Sequence, residues 1–220
     1  MKAKEINKTI EKLDDQDWQR MKKHMDAKFP NMTVPTIEDF KDNNGVYGKN
    51  IVTTGQQWLP NKSDFTTRIL NRMHESENFK DNKYDSIQIM HARRAYDIHS
   101  DWLTTKNQVP INNPETDPPT YTIIIPLTLG DFSTVVFEQA GKYNNFSEYK
   151  ASNDTLDEYI TDDDWQKYCS HCHAEDQKYL TLHEVFNWQV GDLFAFDRTL
   201  FHCSANFETE KKAIVAWLSK

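Results

Sequence analysis

The second half of the chain is a series of short apolar segments, and this series limits the fold more than any other feature. Residues 121–129 are apolar almost throughout, but the run is too short for anything except a buried strand. Residues 86–90 alternate between apolar and polar side chains, as a half-buried strand does. Further strands are predicted over 133–137, 183–189, 193–196 and 211–218. Six or seven short strands predict a mainly β fold, a sandwich or barrel with helices packed outside.

The remaining segments complete a single domain over residues 1–220, a length that can bury a real core. Residues 1–80 are predicted to be helical, with amphipathic helices over 5–29 and 63–79. The barrel strands fall within 84–138 and 183–218. The polar, acidic segment 139–182 between them is predicted to be an insertion that serves as a substrate lid or an interaction surface.

Charge and cysteine content exclude several classes of protein. The net charge of −8 offers no general electrostatic footprint for DNA or RNA, so a nucleic-acid partner is not expected. No run approaches the ~20 apolar residues of a membrane span, and the first residues lack the apolar run of a signal peptide. Three cysteines are an odd set and do not suggest a disulfide framework. We therefore expect a cytoplasmic protein, and the sequence does not indicate its oligomeric state.

The tripeptide His-x-Asp, a chelating pair when it lies on a strand, occurs twice in the chain. One copy comprises His24 and Asp26, and the other His99 and Asp101. The first lies in a predicted helix, where residues two apart point to different sides. The second lies in a strand-like segment, where such residues project from the same face. Only His99 and Asp101 are therefore predicted to share a metal ion.

A third metal ligand is expected from a different strand, and His202 is the best candidate. It follows the apolar strand predicted over 193–196. Nine residues later, Lys211 begins an otherwise apolar strand. Because a buried lysine is costly unless it is paired, a negatively charged ligand is a reasonable partner for it.

Together these residues resemble the iron(II)/2-oxoglutarate-dependent dioxygenases, in particular the prolyl-hydroxylase-like branch. The family pattern is His-x-Asp, a distal His, and then an Arg or Lys that stands six residues before a Trp. Here it reads His99, Asp101, His202, Lys211 and Trp217. The spacing to Trp217 favours Lys211 over its neighbour Lys212 as the cosubstrate-binding cation. The resemblance covers residues 84–218.

The resemblance implies a double-stranded β-helix, that is, a jelly-roll or cupin-like barrel with the N-terminal helices packed outside. It implies iron(II) held by His99, Asp101 and His202, with 2-oxoglutarate and O2 as cosubstrates. Lys211 would bind the far carboxylate of 2-oxoglutarate, supported by Tyr121 or Thr122. An organic substrate would be hydroxylated, with release of succinate and CO2. The candidate substrate residues near the motif are Arg93, Arg94, Tyr96, Trp102 and Arg198.

Competing interpretations concern the insertion and the barrel. Cys169 and Cys172, with His171, His173 or His183, have acceptable spacing for a structural zinc site. A catalytically silent jelly-roll module, either metal-binding or an adaptor, would keep the apolar strands without needing the motif. A zinc-dependent cupin-like hydrolase would keep the His and Asp ligands without needing Lys211.

Overall fold

Two antiparallel sheets form the frame of the molecule. The computed structural model describes residues 9–12, 54–58, 79, 83–92, 95–101, 120–128, 130–141, 146–189, 192–205 and 211–219. Within these ranges the strands are β1 (Thr9–Lys12), β2 (Thr54–Trp58), β3 (Lys83–Ala92), β4 (Tyr121–Pro126), β5 (Ser133–Ala140), β6 (Leu182–Asn187), β7 (Asp192–Asp197), β8 (Leu200–Ser204) and β9 (Lys211–Ser219). The strands predicted over 86–90, 121–129, 133–137, 183–189, 193–196 and 211–218 are confirmed within a few residues, whereas the strand-like segment with His99 forms only an isolated bridge. Strand β8 is an additional strand that was not predicted.

The larger sheet has the strand order β1-β7-β4-β9-β3-β2, and the smaller one has the order β6-β5-β8. All pairings are antiparallel, and strands distant in sequence are neighbours in both sheets. This is the arrangement of a jelly roll, so the mainly β, jelly-roll prediction is confirmed for the described residues.

Alternation along the strands fills the space between the two sheets with apolar side chains. The inner residues come from both sheets: Ile124, Val136, Phe186, Phe194, Phe196, Leu200, Ala213 and Val215. Their neighbours on the same strands point to the opposite faces. Each buried aromatic or aliphatic side chain of this kind contributes ~1.5–3 kcal/mol through removal from water. The inner core therefore fixes which residue of each strand faces the barrel interior.

The insertion between β5 and β6 covers the outer face of the smaller sheet. It contains helix α1 (Phe146–Ala151), helix α2 (Asp162–Cys169) and a 3-10 helix (Ala174–Tyr179). Helix α2 begins at Thr161, whose hydroxyl accepts a hydrogen bond from the backbone N–H of Asp164 at 3.2 Å. Its apolar side joins outward residues of β5 and β8 in a second core: Val135, Phe137, Phe146, Ile160, Trp165, Cys169, Leu180, Phe201 and Cys203. The insertion is thus packed as an outer layer of the barrel.

Two strands lie within the part of the chain predicted to be helical. Thr9–Lys12 is strand β1, paired with β7, so the helix predicted over 5–29 is wrong for these four residues. Thr54–Trp58 is strand β2, paired with β3. For β1, the open edge of a sheet supplies backbone partners, which outweigh a local helical periodicity; β2 lies between the helices predicted over 5–29 and 63–79. Apart from Phe79, a buried turn residue, the helix predicted over 63–79 lies outside the described residues. In the described part of the chain, no helix has the length and apolar character needed to cross a bilayer.

Candidate metal centre

His99 and Asp101 lie on a segment that pairs with β8 at a single point. His99 bridges His202: the His99 N–H donates to the His202 carbonyl at 3.0 Å, and the His202 N–H donates to the His99 carbonyl at 2.8 Å. Two residues further on, the Asp101 N–H donates to the Arg198 carbonyl at 2.9 Å. This short ladder aligns the segment beside β8, so both halves of the predicted ligand set meet at one end of the smaller sheet.

Three side chains converge at this point with the separations that one metal ion requires. Nε2 of His99 is 3.8 Å from Oδ1 of Asp101, and Nε2 of His202 is 3.5 Å from Oδ2 of Asp101. One ligand atom from each of the three residues lies within 4.8 Å of the others. Nitrogen and oxygen atoms bound to one divalent metal are about 3.0–3.5 Å apart, so both nitrogen–oxygen separations are within a few tenths of an ångström of those in a metal complex.

Both imidazoles are oriented so that Nε2 faces the centre of the site. Nδ1 of His99 is 2.7 Å from the carbonyl oxygen of Asp97, and Nδ1 of His202 is 3.0 Å from that of Leu200. A carbonyl oxygen only accepts, so each Nδ1 carries the proton and donates it. The lone pair of each ring is then on Nε2, which is the tautomer that a metal ligand needs.

Asp101 is held by groups from both sheets. The Thr122 hydroxyl on β4 donates to its Oδ2 at 2.6 Å, and the Trp217 side chain on β9 donates a second hydrogen bond to the carboxylate. Burial alone would raise the pKa of Asp101, but His202, His99 and these two hydrogen bonds together lower it below its ordinary value. The residue is therefore a carboxylate, the form that binds a metal.

His99 is the ligand closest to solvent, with 26% of its side chain exposed. Desolvation in the cleft, reinforced by His202, lowers the pKa of His99 to about 4, although Asp101 opposes the shift. The ring is thus neutral near pH 7, as metal binding demands. The Tyr96 ring packs against it at 4.5 Å between centroids, and Phe196 packs edge-on against His202 at 4.6 Å. Two imidazoles and one carboxylate on one side of a partly open cleft suit iron(II).

Lys211 is a buried cation on the inner face of β9. Only 1% of the residue is exposed, and its Nζ donates to the Ser204 hydroxyl at 2.6 Å and lies 4.5 Å from the centroid of the Trp188 ring. Burial lowers the pKa of Lys211 to about 7, with a small opposing effect from Cys203. Lys212 is exposed whereas Lys211 is buried, so Lys211 is the lysine that lies inside the barrel.

The buried lysine and the metal centre lie on the same face of the smaller sheet. Ser204 follows His202 by two residues on β8, so both side chains point inward and are separated by roughly 6–7 Å along the strand. Lys211, whose ammonium binds Ser204, is 1% exposed, whereas the side chains of His99 and Asp101 are 26% and 15% exposed. A metal ion with a buried cation nearby suits an anion that binds through both of its ends.

Tyr121 and Thr122, the two residues of β4 predicted to support the cosubstrate, face opposite sides of the sheet. Thr122 faces the metal centre through its bond to Asp101. Tyr121 points to the other face of the sheet, where its ring packs edge-on against Phe79 at 5.2 Å. This geometry argues against the predicted role of Tyr121 beside the cosubstrate and assigns Thr122 to the aspartate ligand.

The residues predicted to contact substrate have different positions. Arg198 is 2% exposed, and its Nε donates to the carbonyl of Asp101 at 3.0 Å, so it supports the ligand segment and is not presented to a substrate. Tyr96 is half-buried beside His99 at the edge of the cleft. Desolvation and then the nearby Asp101 charge raise the pKa of Tyr96, which keeps its hydroxyl neutral. Arg93, Arg94 and Trp102 lie outside the described residues.

Sequence reasoning missed Ser204 and Trp188, which surround the Lys211 ammonium. Trp188 also donates from Nε1 to the Thr134 hydroxyl at 2.9 Å, which fixes its ring. Ser204 could have been identified from the sequence, because it lies two residues after His202 and therefore faces the same side of an extended strand. The position of Trp188, just beyond the end of β6, carries no comparable signal.

The cysteines of the insertion also form a cluster. Cys203, which was not among the predicted zinc ligands, joins Cys172 and His171, and one ligand atom from each lies within 4.8 Å of the others. Cys169 contacts the same Cys203. His173 and His183, which were weighed as zinc ligands, are not members of this group.

Comparison with known proteins gives structural likeness without sequence likeness. No protein-family model matches the chain, and no curated protein sequence does. The structure is similar to that of SnoN, a non-haem alpha-ketoglutarate-dependent epimerase from nogalamycin biosynthesis, at 8% identity and a TM-score of 0.53, over 94% of this chain and 74% of SnoN. It is also similar to SnoK, an alpha-ketoglutarate-dependent carbocyclase from the same biosynthesis, at 12% identity and a TM-score of 0.52, over 94% of this chain and 76% of SnoK.

A prolyl-4-hydroxylase from Pseudomonas putida matches 94% of this chain and 88% of its own, at 10% identity and a TM-score of 0.46. A second SnoN structure, with Fe3+, alpha-ketoglutarate and nogalamycin RO bound, matches with a TM-score of 0.52 and 9% identity over 94% of this chain and 76% of that chain. The two SnoN structures and SnoK show the fold alone: this chain shares the fold of these two alpha-ketoglutarate-dependent enzymes.

Proposed function

We propose that this protein is an iron(II)- and 2-oxoglutarate-dependent dioxygenase that hydroxylates an organic substrate and releases succinate and CO2. The observation that carries the proposal is the pairing of two features inside one barrel. One is the triad of His99, Asp101 and His202, and the other is the buried ammonium of Lys211 on β9, which binds Ser204, two residues after His202 on the same face of β8. A metal site alone suits many reactions, whereas a metal site with a buried cation behind it suits a chelating dicarboxylate.

In this proposal each side chain has a defined task. His99, Asp101 and His202 hold the metal from one side, and Thr122 and Trp217 fix the carboxylate ligand. When bound, iron(II) with 2-oxoglutarate and O2 supplies the oxidising power, which the protein itself does not have.

Lys211 binds the far carboxylate of the cosubstrate, and the Ser204 hydroxyl, which accepts from Lys211, donates to the same carboxylate. The Trp188 ring covers the ammonium and limits its access to water, which strengthens the ion pair. A buried cation in addition to the metal ligands favours a dicarboxylate over a keto acid with a single carboxylate, such as pyruvate. Tyr96, beside the most exposed ligand, is the described residue best situated to meet the substrate.

Hydroxylation is the finer part of the proposal. Of the structural neighbours, one is named an epimerase and another a carbocyclase, so the fold serves several oxidative outcomes. The resemblance of the motif to the prolyl-hydroxylase-like branch supports hydroxylation.

The proposal also includes a single domain over 1–220 and a cytoplasmic location. Three cysteines without a disulfide are in keeping with a reducing compartment.

An anaerobic titration of the metal-free protein with iron(II) and 2-oxoglutarate tests the proposal. We expect a weak visible charge-transfer band in the wild type, no band in Asp101→Ala, and a band in Lys211→Met only at much higher 2-oxoglutarate. Lys212→Met is the matched control, because this neighbouring lysine is exposed and its variant should behave as the wild type. A subsequent screen for succinate release, with products analysed for one added oxygen atom, would identify the substrate class.

The same titration separates the alternatives. A zinc-dependent hydrolase would give no charge-transfer band, and its activity would survive Lys211→Met but not Asp101→Ala. A silent module would bind its partner equally well as wild type and as Asp101→Ala, with no oxidation by either. Either result would overturn the dioxygenase proposal.

A further inference from the structure

Behind the metal centre, on the outer face of β8, four soft ligands converge in the second core. Cys203 lies on β8 between His202 and Ser204, and its side chain points away from the barrel interior. Cys169 ends helix α2, and His171 and Cys172 follow directly in the turn after it. Cys169, Cys172 and Cys203 are 0%, 8% and 1% exposed, and none forms a disulfide.

Two separations within this cluster are close to those of ligands around one ion. The Sγ atoms of Cys169 and Cys203 are 3.8 Å apart, and Sγ of Cys172 is 3.3 Å from Nε2 of His171. Cys203 also hydrogen-bonds Cys172, so it contacts both other thiols. Tetrahedral zinc with Zn–S bonds of ~2.3 Å and a Zn–N bond of ~2.0 Å has S···S edges of about 3.8 Å and S···N edges of about 3.6 Å. A disulfide would instead need ~2.05 Å between sulfurs.

From this geometry we propose that Cys169, Cys172, Cys203 and His171 form a structural site for a thiophilic divalent cation, with zinc as the expected ion. The spacing Cys-x-x-Cys is typical of one half of such a site, and β8 supplies the ligand that a second motif would otherwise provide. Binding releases three protons, one from each thiol, and leaves a complex with a net charge of −1. This site is separate from the proposed iron site, whose ligands are one carboxylate and two imidazoles.

Two adjustments accompany metal binding. Nε2 of His171 lies 3.1 Å from the Tyr96 carbonyl oxygen, and a nitrogen that donates there cannot also bind a metal. The ring must therefore give up that hydrogen bond. Cys169 must rotate towards Cys172, since the group within 4.8 Å comprises His171, Cys172 and Cys203. Both changes cost free energy, which the binding of the ion supplies.

The proposed site would fasten the insertion to the strand that carries the functional groups. Cys203 is bonded along the chain to His202, a proposed iron ligand, and to Ser204, which binds Lys211. Cys169 and Cys172 belong to the insertion. A metal bridge between them would link the outer layer to β8 directly behind the active site.

Metal analysis of the full-length protein, purified under reducing conditions, tests this proposal. The double variant His99→Ala/Asp101→Ala removes the first site as a place for zinc to bind. We expect about one zinc per chain to remain in this background, and to be lost on Cys203→Ser and reduced on His171→Ala. His173→Ala is the matched control, because it lies in the same turn but outside the cluster, and it should keep the zinc.

Because Cys203 is buried in the second core and its substitution can impair folding, cobalt(II) provides an independent readout in a protein that keeps all four cluster residues. Loading the double variant with cobalt should give the intense visible bands of a tetrahedral thiolate site and a near-ultraviolet sulfur charge-transfer band. Weak cobalt bands typical of octahedral coordination would overturn the proposal. So would the absence of zinc from the double variant His99→Ala/Asp101→Ala. So would three titratable thiols with no bound metal, or a mass two hydrogens lower that indicates a disulfide.

Discussion

The hydroxyl of Thr122 donates to Oδ2 of Asp101 at 2.6 Å, and this bond joins the larger sheet to the ligand segment that runs beside the smaller one. The same oxygen is 3.5 Å from Nε2 of His202, whereas Oδ1 is the oxygen near His99. Thr122 therefore sets the rotation of the carboxylate relative to both imidazoles. Thr122, which is not itself a proposed metal ligand, thus determines how the Asp101 carboxylate is oriented towards His99 and His202.

Thr122→Val is predicted to lower metal affinity about tenfold, because loss of a hydrogen bond to a ligating carboxylate typically costs 10–100-fold. The substitution keeps the shape of the side chain and removes only the donor. Competition titrations with manganese(II) or anaerobic iron(II) measure the change. Thr122→Ser keeps the hydroxyl and should retain most of the affinity. Equal affinity in the valine variant and the wild type would contradict the structural role assigned to this bond.

The affinity for 2-oxoglutarate is predicted to fall as the pH rises above about 7. Burial lowers the pKa of Lys211 to about 7 in the free protein, and a bound carboxylate would raise it by favouring the charged form. Binding therefore takes up a proton above pH 7, and each pH unit should weaken it by up to tenfold until the pKa of the complex is reached. Calorimetry in buffers of different ionisation enthalpy measures this uptake. A pH-independent affinity, or the same slope in Lys211→Met, would contradict the prediction.

Lys211→Met is predicted to stabilise the protein in the absence of cosubstrate. The folded-state pKa of about 7 lies below the ordinary value of 10.5, so protonation favours the unfolded chain. The penalty is fully present below pH 7 and disappears as the pH rises towards 10, where the lysine is neutral in both states. We expect a gain on the order of 3 kcal/mol near pH 6.5, shrinking towards pH 10, in urea unfolding. Lys212→Met, at an exposed position, should change stability little at any pH.

The sequence predicted those features that depend on strand periodicity. His99 and Asp101 share a face because they are two residues apart in an extended segment, and the helical setting predicted for His24 argued against the other copy of the motif. The same alternation separates Lys211, which points inward, from Lys212, which is exposed.

Features that depend on long-range contacts could not be predicted in this way. Strand β4 is buried on both faces, so its composition does not tell whether Tyr121 or Thr122 faces the metal centre. Strand β8 carries His, Cys and Ser, which weaken any apolar pattern, although all five of its residues are buried. Cys203 meets Cys169 across 34 residues of sequence. Strands β1 and β2 form where neighbouring strands offer backbone partners, and local periodicity does not report such partners.

Trp165→Ala should show whether the insertion acts as an outer layer or as a lid. Trp165 is 2% exposed and packs in the second core with Val135 and Phe201. Its truncation should lower the free energy of unfolding by about 3–5 kcal/mol, the usual cost of removing a buried tryptophan, while affinity for iron(II) and 2-oxoglutarate in the folded fraction stays close to that of the wild type. Tyr159→Ala, at a position that is 43% exposed, is the control and should leave stability nearly unchanged. A variant with wild-type stability but altered kcat/KM would indicate a lid instead, because a lid acts on substrate access and contributes little to the core.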